Sequence, residues 1–304
     1  NRRAAKAKLQ VPEQYGRRMD IGINGSGQLA NPSLGAIKAD MAEAEADNIS
    51  SYWLAQTGGV DALTAFAAQG DTGSNMQLGT AVIPTWVVHP HTLAGQAMTT
   101  QAAVGGRLTL GLGLSHEPAV TGYWKMKWER PVRQMMDYLD ILLPLLTEGS
   151  AHHEGHFWSY QGDMKHLEQP APKVMIAALG DQMLKLAGSR TDGTILWCVG
   201  PKTIQEQIAP KINDAAAKAG RDAPSIVCSL PVWVTDDPAP AREFIAKMLS
   251  IYAELPSYRA MLDIEGVHGL GDLSLVGSEA EVLEGIAKIA DAGATDFTAV
   301  GCRA

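Results

Sequence analysis

Residues 174–201 read VMIAALGDQMLKLAGSRTDGTILWCVGP and hold strand, helix and strand in succession. Residues 174–178 (VMIAA) are a short apolar run, Gly180-Asp181 opens a helical pattern around residues 182–188, and residues 194–198 (TILWC) are a second apolar run. No hairpin dipeptide separates the runs, so the helix is the crossover that two parallel strands require. Val199-Gly200-Pro201 then leads into a further helix over residues 202–219.

The same unit recurs on both sides. Upstream, residues 19–24 (MDIGIN) precede a helix from Pro32-Ser33 to about Asp47, and residues 50–55 (SSYWLA) precede one from Asp61. Residues 76–83 (MQLGTAVI) lead to a helix at 90–104, and residues 108–113 (LTLGLG) lead through a loop to one at 131–147. A His- and aromatic-rich segment, residues 148–173, interrupts the rhythm. Downstream, residues 225–234 (SIVCSLPVWV) lead to a helix at 239–254 and a Gly-rich excursion, and a helix at 278–292 leads to a last strand at 296–300 (DFTAV). Each strand after the first follows a helix. Eight such alternations predict an α/β fold, a (β/α)8 TIM barrel with insertions, forming a single domain over residues 19–304. Its reactive face is the C-terminal ends of the strands. Only four residues follow Val300, too few for an eighth helix, so the final helix is expected to be missing. The basic N-terminal extension, residues 1–18, is the candidate to cover that flank, because residues 4–9 can form a helical turn.

With 46% hydrophobic and 19% charged residues the chain can build one large core, which excludes wholesale disorder. The net charge is −8, yet residues 1–18 hold six cations and one acid, so the rest carries an excess of thirteen negative charges. That balance argues against a nucleic-acid partner. No apolar run approaches the roughly 20 residues of a membrane span, and no secretory leader is evident. Cys198, Cys228 and Cys302 are odd in number and far apart, as expected of reduced thiols in a cytoplasmic protein.

Gly25-Ser26-Gly27-Gln28-Leu29-Ala30 matches the dinucleotide fingerprint, but Asn31-Pro32 delays the helix and Gln56, not an acid, ends strand two; an ordinary loop is expected. His89-Pro90-His91 and His152-His153-x-x-His156 invite a metal reading. No His or Asp ends strands one, five or six, however, so no metal site is assigned and a hydrolase barrel is a lesser alternative. Met135, Tyr138, Leu142 and Leu145 share one helix face and belong to the core. Ser115-His116 directly follows strand four, on the reactive face, and Gly111 and Gly113 let a planar ring lie close to the backbone there. Asn24 and Gln56 end strands one and two, as ligand contacts or as caps. Ala177, Ala178, Leu179 and Gly180, ahead of a helix N-terminus, offer free amides for a phosphate, and Val199 and Gly200 repeat the arrangement one unit on. Trp53, Trp86, Trp124 and Ile83 are candidate apolar lining for a substrate.

MDIGI, SSYWLAQ with DALT, LGTAVIPTWVVHP, GGRLTLGLGLSH and the opening stretch together resemble the luciferase-like flavin-dependent oxidoreductase superfamily, especially its deazaflavin (coenzyme F420) branch, over residues 19–301. The resemblance implies a homodimeric barrel that holds a flavin-type ring in its mouth, behind which Thr80, Ala81, Val82 and Ile83 form a bulge with a cis non-proline peptide at or beside Ala81-Val82. It places the cofactor phosphate on Ala178, Leu179 and Gly180 with Val199 and Gly200 alongside, and His116 beside the ring or substrate. Lys125, Lys127 and Arg130 are then the cations that admit an anionic cofactor to an acidic body. The implied activity is F420-dependent hydride transfer to or from a small organic substrate with an activated C=C, C=N or C=O. His116 is the proton donor or acceptor, with Gln56 and Ser115 positioning ring or substrate. The alternatives are an FMN-dependent monooxygenase of the same superfamily and a non-catalytic F420 carrier.

Overall fold

A computed structural model describes residues 18–302. Its barrel strands are β1 (Asp20–Asn24), β2 (Ser51–Leu54), β3 (Gln77–Thr80), β4 (Leu108–Gly113), β5 (Lys173–Ile176), β6 (Gly193–Trp197), β7 (Ser225–Val234), which also carries the short parallel strand Leu275–Gly277 at its end, and β8 (Asp296–Gly301). Each pairs in parallel with the next, and β8 pairs with β1, so the ladder closes on itself as an eight-stranded parallel barrel. Successive helices lie outside it: α1 (Leu34–Ala46), α2 (Ala62–Gln69), α3 (Pro90–Ala103), α4 (Pro131–Thr147) and α5 (Asp181–Arg190). Pro201–Thr203, a π turn at Ile204–Ile208 and Ala209–Lys218 run on as one helix, α6.

Local chemistry starts these helices. Ser33 accepts from the Ala36 amide ahead of α1, Asp61 accepts from the Thr64 amide at 2.7 Å ahead of α2, and Pro131 opens α4. On α4, Met135, Tyr138, Leu142 and Leu145 are all fully buried, as their spacing predicts. Cys198, Cys228 and Cys302 are buried free thiols.

Three stretches differ from the sequence reading. The run at 76–83 is not one strand: β3 stops at Thr80 and Ile83–Pro84 resumes as a short strand on the far end of β4, while the Ala81–Val82 peptide between them is cis, where the family resemblance places it. The helix expected at 239–254 breaks at Leu249 into α7 (Pro238–Met248) and α8 (Ser250–Glu254), and the Gly-rich excursion contains α9 (Pro256–Glu265) and α10 (Leu270–Leu273). After it, α11 (Glu279–Asp291) begins with a capping box between Ser278 and Glu281. Finally, residues 148–173 contain an antiparallel hairpin, Ser150–Glu154 with Ser159–Asp163. No helix follows β8 among the described residues; of the extension expected to cover that flank, residues 1–18, all but Arg18 lie outside them.

The hairpin is pinned to α4 chiefly through the Asp137 carboxylate, with Asp140 3.7 Å from His153 Nδ1. Asp137, with no exposed side-chain surface, accepts from Arg133 Nε at 2.8 Å, His153 Nε2 at 3.3 Å and the Phe157 amide at 2.9 Å. Asp140, one turn on, takes Arg190 at 2.8 Å. Burial alone pushes the Asp137 carboxyl up, but the Phe157 amide, His153 and Arg133 outweigh it and hold it below the usual carboxylate range. Because the unfolded carboxyl titrates at about 3.9, this stabilisation is present above that pH and is lost as the pH falls through the lower, folded value. The protection factor of the Phe157 amide, its exchange relative to the intrinsic rate at each pH, should therefore fall in acid below about pH 4 and be steady above it; a protection factor that persists unchanged to about pH 2 would remove the carboxylate from this role.

Candidate active site at the barrel mouth

The tip of β4 is where the backbone departs from ordinary geometry. Ser115 has φ +59°, a left-handed conformation uncommon outside glycine, and it turns the chain so that His116 begins a short helical turn, its carbonyl accepting from Ala119 and Val120. The His116 ring is half-buried, edge-on to Tyr252 (centroids 5.9 Å) and tilted against Tyr258 (5.6 Å). It makes no side-chain hydrogen bond among the described residues. Burial pushes its pKa below the ordinary imidazole value, so the ring is neutral at neutral pH.

The neighbouring tips divide into open and committed positions. Gln56, past β2, is half-buried, and its Oε1 is buried without a hydrogen-bond partner. Ala81 and Val82 are half-buried and rest on Trp53, Met175, Ile195 and Val227, which fill the barrel interior. Asn24 is committed to the fold: Oδ1 accepts from the Ser26 amide at 3.0 Å and Nδ2 donates to Ser229 Oγ at 2.9 Å. Thr80, expected as a ring contact, is fully buried, and its hydroxyl bridges the break in the ladder, donating to the Gly111 carbonyl and accepting from its amide, both at 2.8 Å. Ile83 is likewise corrected, because it packs into the outer core rather than the mouth. Among the proposed lining residues, Trp53 is inside the barrel, with Nε1 on Ser51 Oγ, while Trp86 packs against Trp128 and Phe157. Trp124 is half-buried in the β4–α4 loop, and Lys125, Lys127 and Arg130 of the same loop are exposed.

The two amide clusters are not equivalent. After β5, Ala177 and Leu179 are half-buried, Ala178 is buried, and exposed Gly180 caps α5 with no side chain on the helix N-terminus. After β6, Val199 and Gly200 are buried and the first amides of α6 are taken: Glu265 of α9 accepts from Thr203 N at 2.6 Å and Lys202 N at 3.3 Å. A β-carbon on Gly200 would come within 2.5 Å of the Glu265 carboxyl carbon. The expected second phosphate contact at Val199 and Gly200 thus lies against an internal carboxylate. Sequence reasoning missed Glu265, Tyr252 and Tyr258, which lay in a stretch read as plain helix and loop. It also missed Trp197, which its place at the tip of β6 could have marked.

The other motifs have structural roles. Gly25–Ala30 is a 3-10 turn, not a dinucleotide loop, and Gly25 is required because a β-carbon would overlap the Tyr52 hydroxyl at 1.8 Å. His89 caps α3 through the His91 amide and packs edge-on against Trp158. His153 groups with Asp137 and Asp140 closely enough to share an ion, but Arg133 and Arg190 already pair with these carboxylates.

The model of the luciferase-like monooxygenase family matches residues 19–296. The chain belongs to that family. Among relatives of this luciferase-like chain, the Mycobacterium tuberculosis protein Rv3520c, described as a putative coenzyme F420-dependent oxidoreductase, is 27% identical over 70% of the chain and 66% of its own length. Solved luciferase-like structures share the fold at lower identity. The coenzyme F420 dependent tetrahydromethanopterin reductase from Methanopyrus kandleri superposes with a TM-score of 0.76 at 18% identity, covering 94% of this chain and 93% of that one. The oxygenating constituent of 3,6-diketocamphane monooxygenase from Pseudomonas putida, in complex with FMN, gives 0.74 at 16% identity, covering 93% and 92%. Among the described residues no helix is long and apolar enough to cross a membrane.

Proposed function

We propose that this luciferase-like barrel is an F420-dependent oxidoreductase acting on a small organic molecule with an activated C=C, C=N or C=O bond. The observation that carries the reading is His116, a neutral imidazole without a hydrogen-bond partner at the tip of β4. The residues fit the cofactor. Gln56 Oε1 is a buried acceptor lacking a donor, which the N–H edge of a flavin-type ring supplies, and the α5 N-terminus at Gly180 is open to a phosphate. Rv3520c, described as a putative coenzyme F420-dependent oxidoreductase, and the F420-dependent glucose-6-phosphate dehydrogenase from Gordonia bronchialis, 29% identical over 59% of this chain and 55% of its own length, favour the deazaflavin.

When bound, F420 supplies the hydride chemistry. The chain supplies the rest. Leu179 and Gly180 would hold the phosphate through backbone amides and the α5 dipole, Gln56 would fix the ring edge, and Ala81 and Val82 would close off its back from water. Ser115 aims His116, whose neutral ring takes a proton from the substrate oxygen, or returns one as imidazolium, as hydride leaves or arrives. Titrating the protein with F420 and, separately, FMN while following tryptophan fluorescence tests this reading, with half-buried Trp197 as the reporter. Saturable F420 binding at concentrations where FMN has little effect is expected. Preferential FMN binding would move the assignment to a monooxygenase, and binding of neither would end it.

A further inference from the structure

Residues 250–265 form a strap over one side of the mouth. Tyr252 of α8 packs on Trp197 at the tip of β6 (centroids 6.2 Å) and on His116 beyond the tip of β4, and Tyr258 of α9 packs on both Tyr252 (5.2 Å) and His116. The tips of β4 and β6 flank that of β5 in the barrel order, so the strap bridges across the end of β5. The strap is also held by buried Met261 and Leu262 of α9, and the Met261 carbonyl accepts from the Thr203 hydroxyl at 3.5 Å, contacts without a charged partner. At its C-terminal end, however, Glu265 reaches the start of α6, and its two oxygens take the Thr203 and Lys202 amides. Gly266 then ends α9 in the left-handed conformation (φ 76°), directly after the carboxylate.

We propose that Glu265 is a positioning residue for His116: by capping α6 it latches the strap to the barrel and so holds Tyr252 and Tyr258 against the imidazole. A carboxylate suits the task, because it satisfies two orphan amides and is attracted by the helix dipole, which a neutral or shorter side chain matches less well. Gly200 belongs to the same device, since any side chain there would displace the carboxylate. The latch is a property of the protein without cofactor; only its consequence for turnover rests on the hydride-transfer reading.

The titratable groups packed on His116 are Tyr252 and Tyr258 from the strap, and its chain neighbour Glu117 is exposed. Both phenols are pushed up by burial and are neutral, so the strap acts on the imidazole by excluding water rather than by charge. The test is a paired measurement on cofactor-free full chain, the NMR titration of the His116 ring and amide exchange at Thr203 and across residues 250–265, in wild type, Glu265→Ala and Glu265→Gln. In Glu265→Ala the strap and Thr203 amides should exchange at least about tenfold faster, and His116 should titrate closer to a free imidazole at about 6.5. Glu265→Gln keeps one acceptor and should fall between the two. If Glu265→Ala does not fold, the same ordering between wild type and Glu265→Gln carries the test. An unmoved His116 titration in a folded variant, with or without faster exchange, overturns the proposal. With F420 present, kcat should fall while KM for the cofactor is retained. A wild-type protein that shows no F420 turnover would count against the function proposed above and leave the imidazole titration to decide the latch.

Discussion

His116→Ala should lose on the order of 10²- to 10⁴-fold in kcat while cofactor affinity is retained. The separation follows from where the ring stands. In the proposed reading cofactor contacts fall to Gln56, Leu179 and Gly180, whereas the imidazole packs on the Tyr252 and Tyr258 rings and makes no side-chain hydrogen bond among the described residues. Because burial depresses its pKa, the acidic limb of kcat/KM should lie below the ordinary imidazole value of about 6.5 and disappear in the variant. For substrate oxidation the working form is the neutral ring, so activity in that direction is present above the depressed value and falls as the pH drops through it. Steady-state kinetics across pH on both proteins read this directly, and undiminished turnover by the variant would reject the assignment.

Gly111→Ala should destabilise the barrel by about 3 kcal/mol or more. A β-carbon there would stand 1.9 Å from the Thr80 carbonyl oxygen and 2.4 Å from Ile195 Cδ1. The first contact is the severe one, because it is with backbone. Thr80 cannot retreat, since its hydroxyl already holds both the amide and the carbonyl of Gly111 across the break between β3 and Ile83–Pro84. Gly95→Ala is the control. It lies inside α3 with no atom within 4 Å of the added carbon, so it should be neutral or stabilise by up to about 1 kcal/mol. Urea denaturation of the two variants separates the cases, and a Gly111→Ala protein as stable as Gly95→Ala would show that the floor of the mouth can relax.

The elements legible in the chain were those specified by neighbours in sequence. β4, α4 and β7 lie where the apolar runs and the flanking Gly and Pro place them, and Ser278 with Glu281 marks the start of α11 by a capping box. Ser115 and His116 were legible for the same reason, since a polar pair that directly follows a buried strand must lie at its tip. In the sequence Asn24 stays open between ligand contact and cap, and Thr80 reads towards the ring, because a polar residue near a strand tip can face the mouth or serve the fold. Their partners, Ser229 and Gly111, are 205 and 31 residues away. The hairpin at 150–163 escaped notice because its strands are mostly exposed and polar, and it is fastened by Asp137 rather than by an apolar stripe.

Alternating apolar runs and capped helices were sufficient for a closed parallel barrel with its chemistry at the strand tips, because each signal acts within a few residues and closure follows from their number. Which tips remain open to a ligand was settled by contacts between distant segments. Glu265 meets Thr203 across 62 residues and takes the first amides of α6, whereas no side chain caps α5 at Gly180. No local pattern carries that choice. It depends on where a strap grown between β7 and β8 comes to rest once the barrel has closed beneath it.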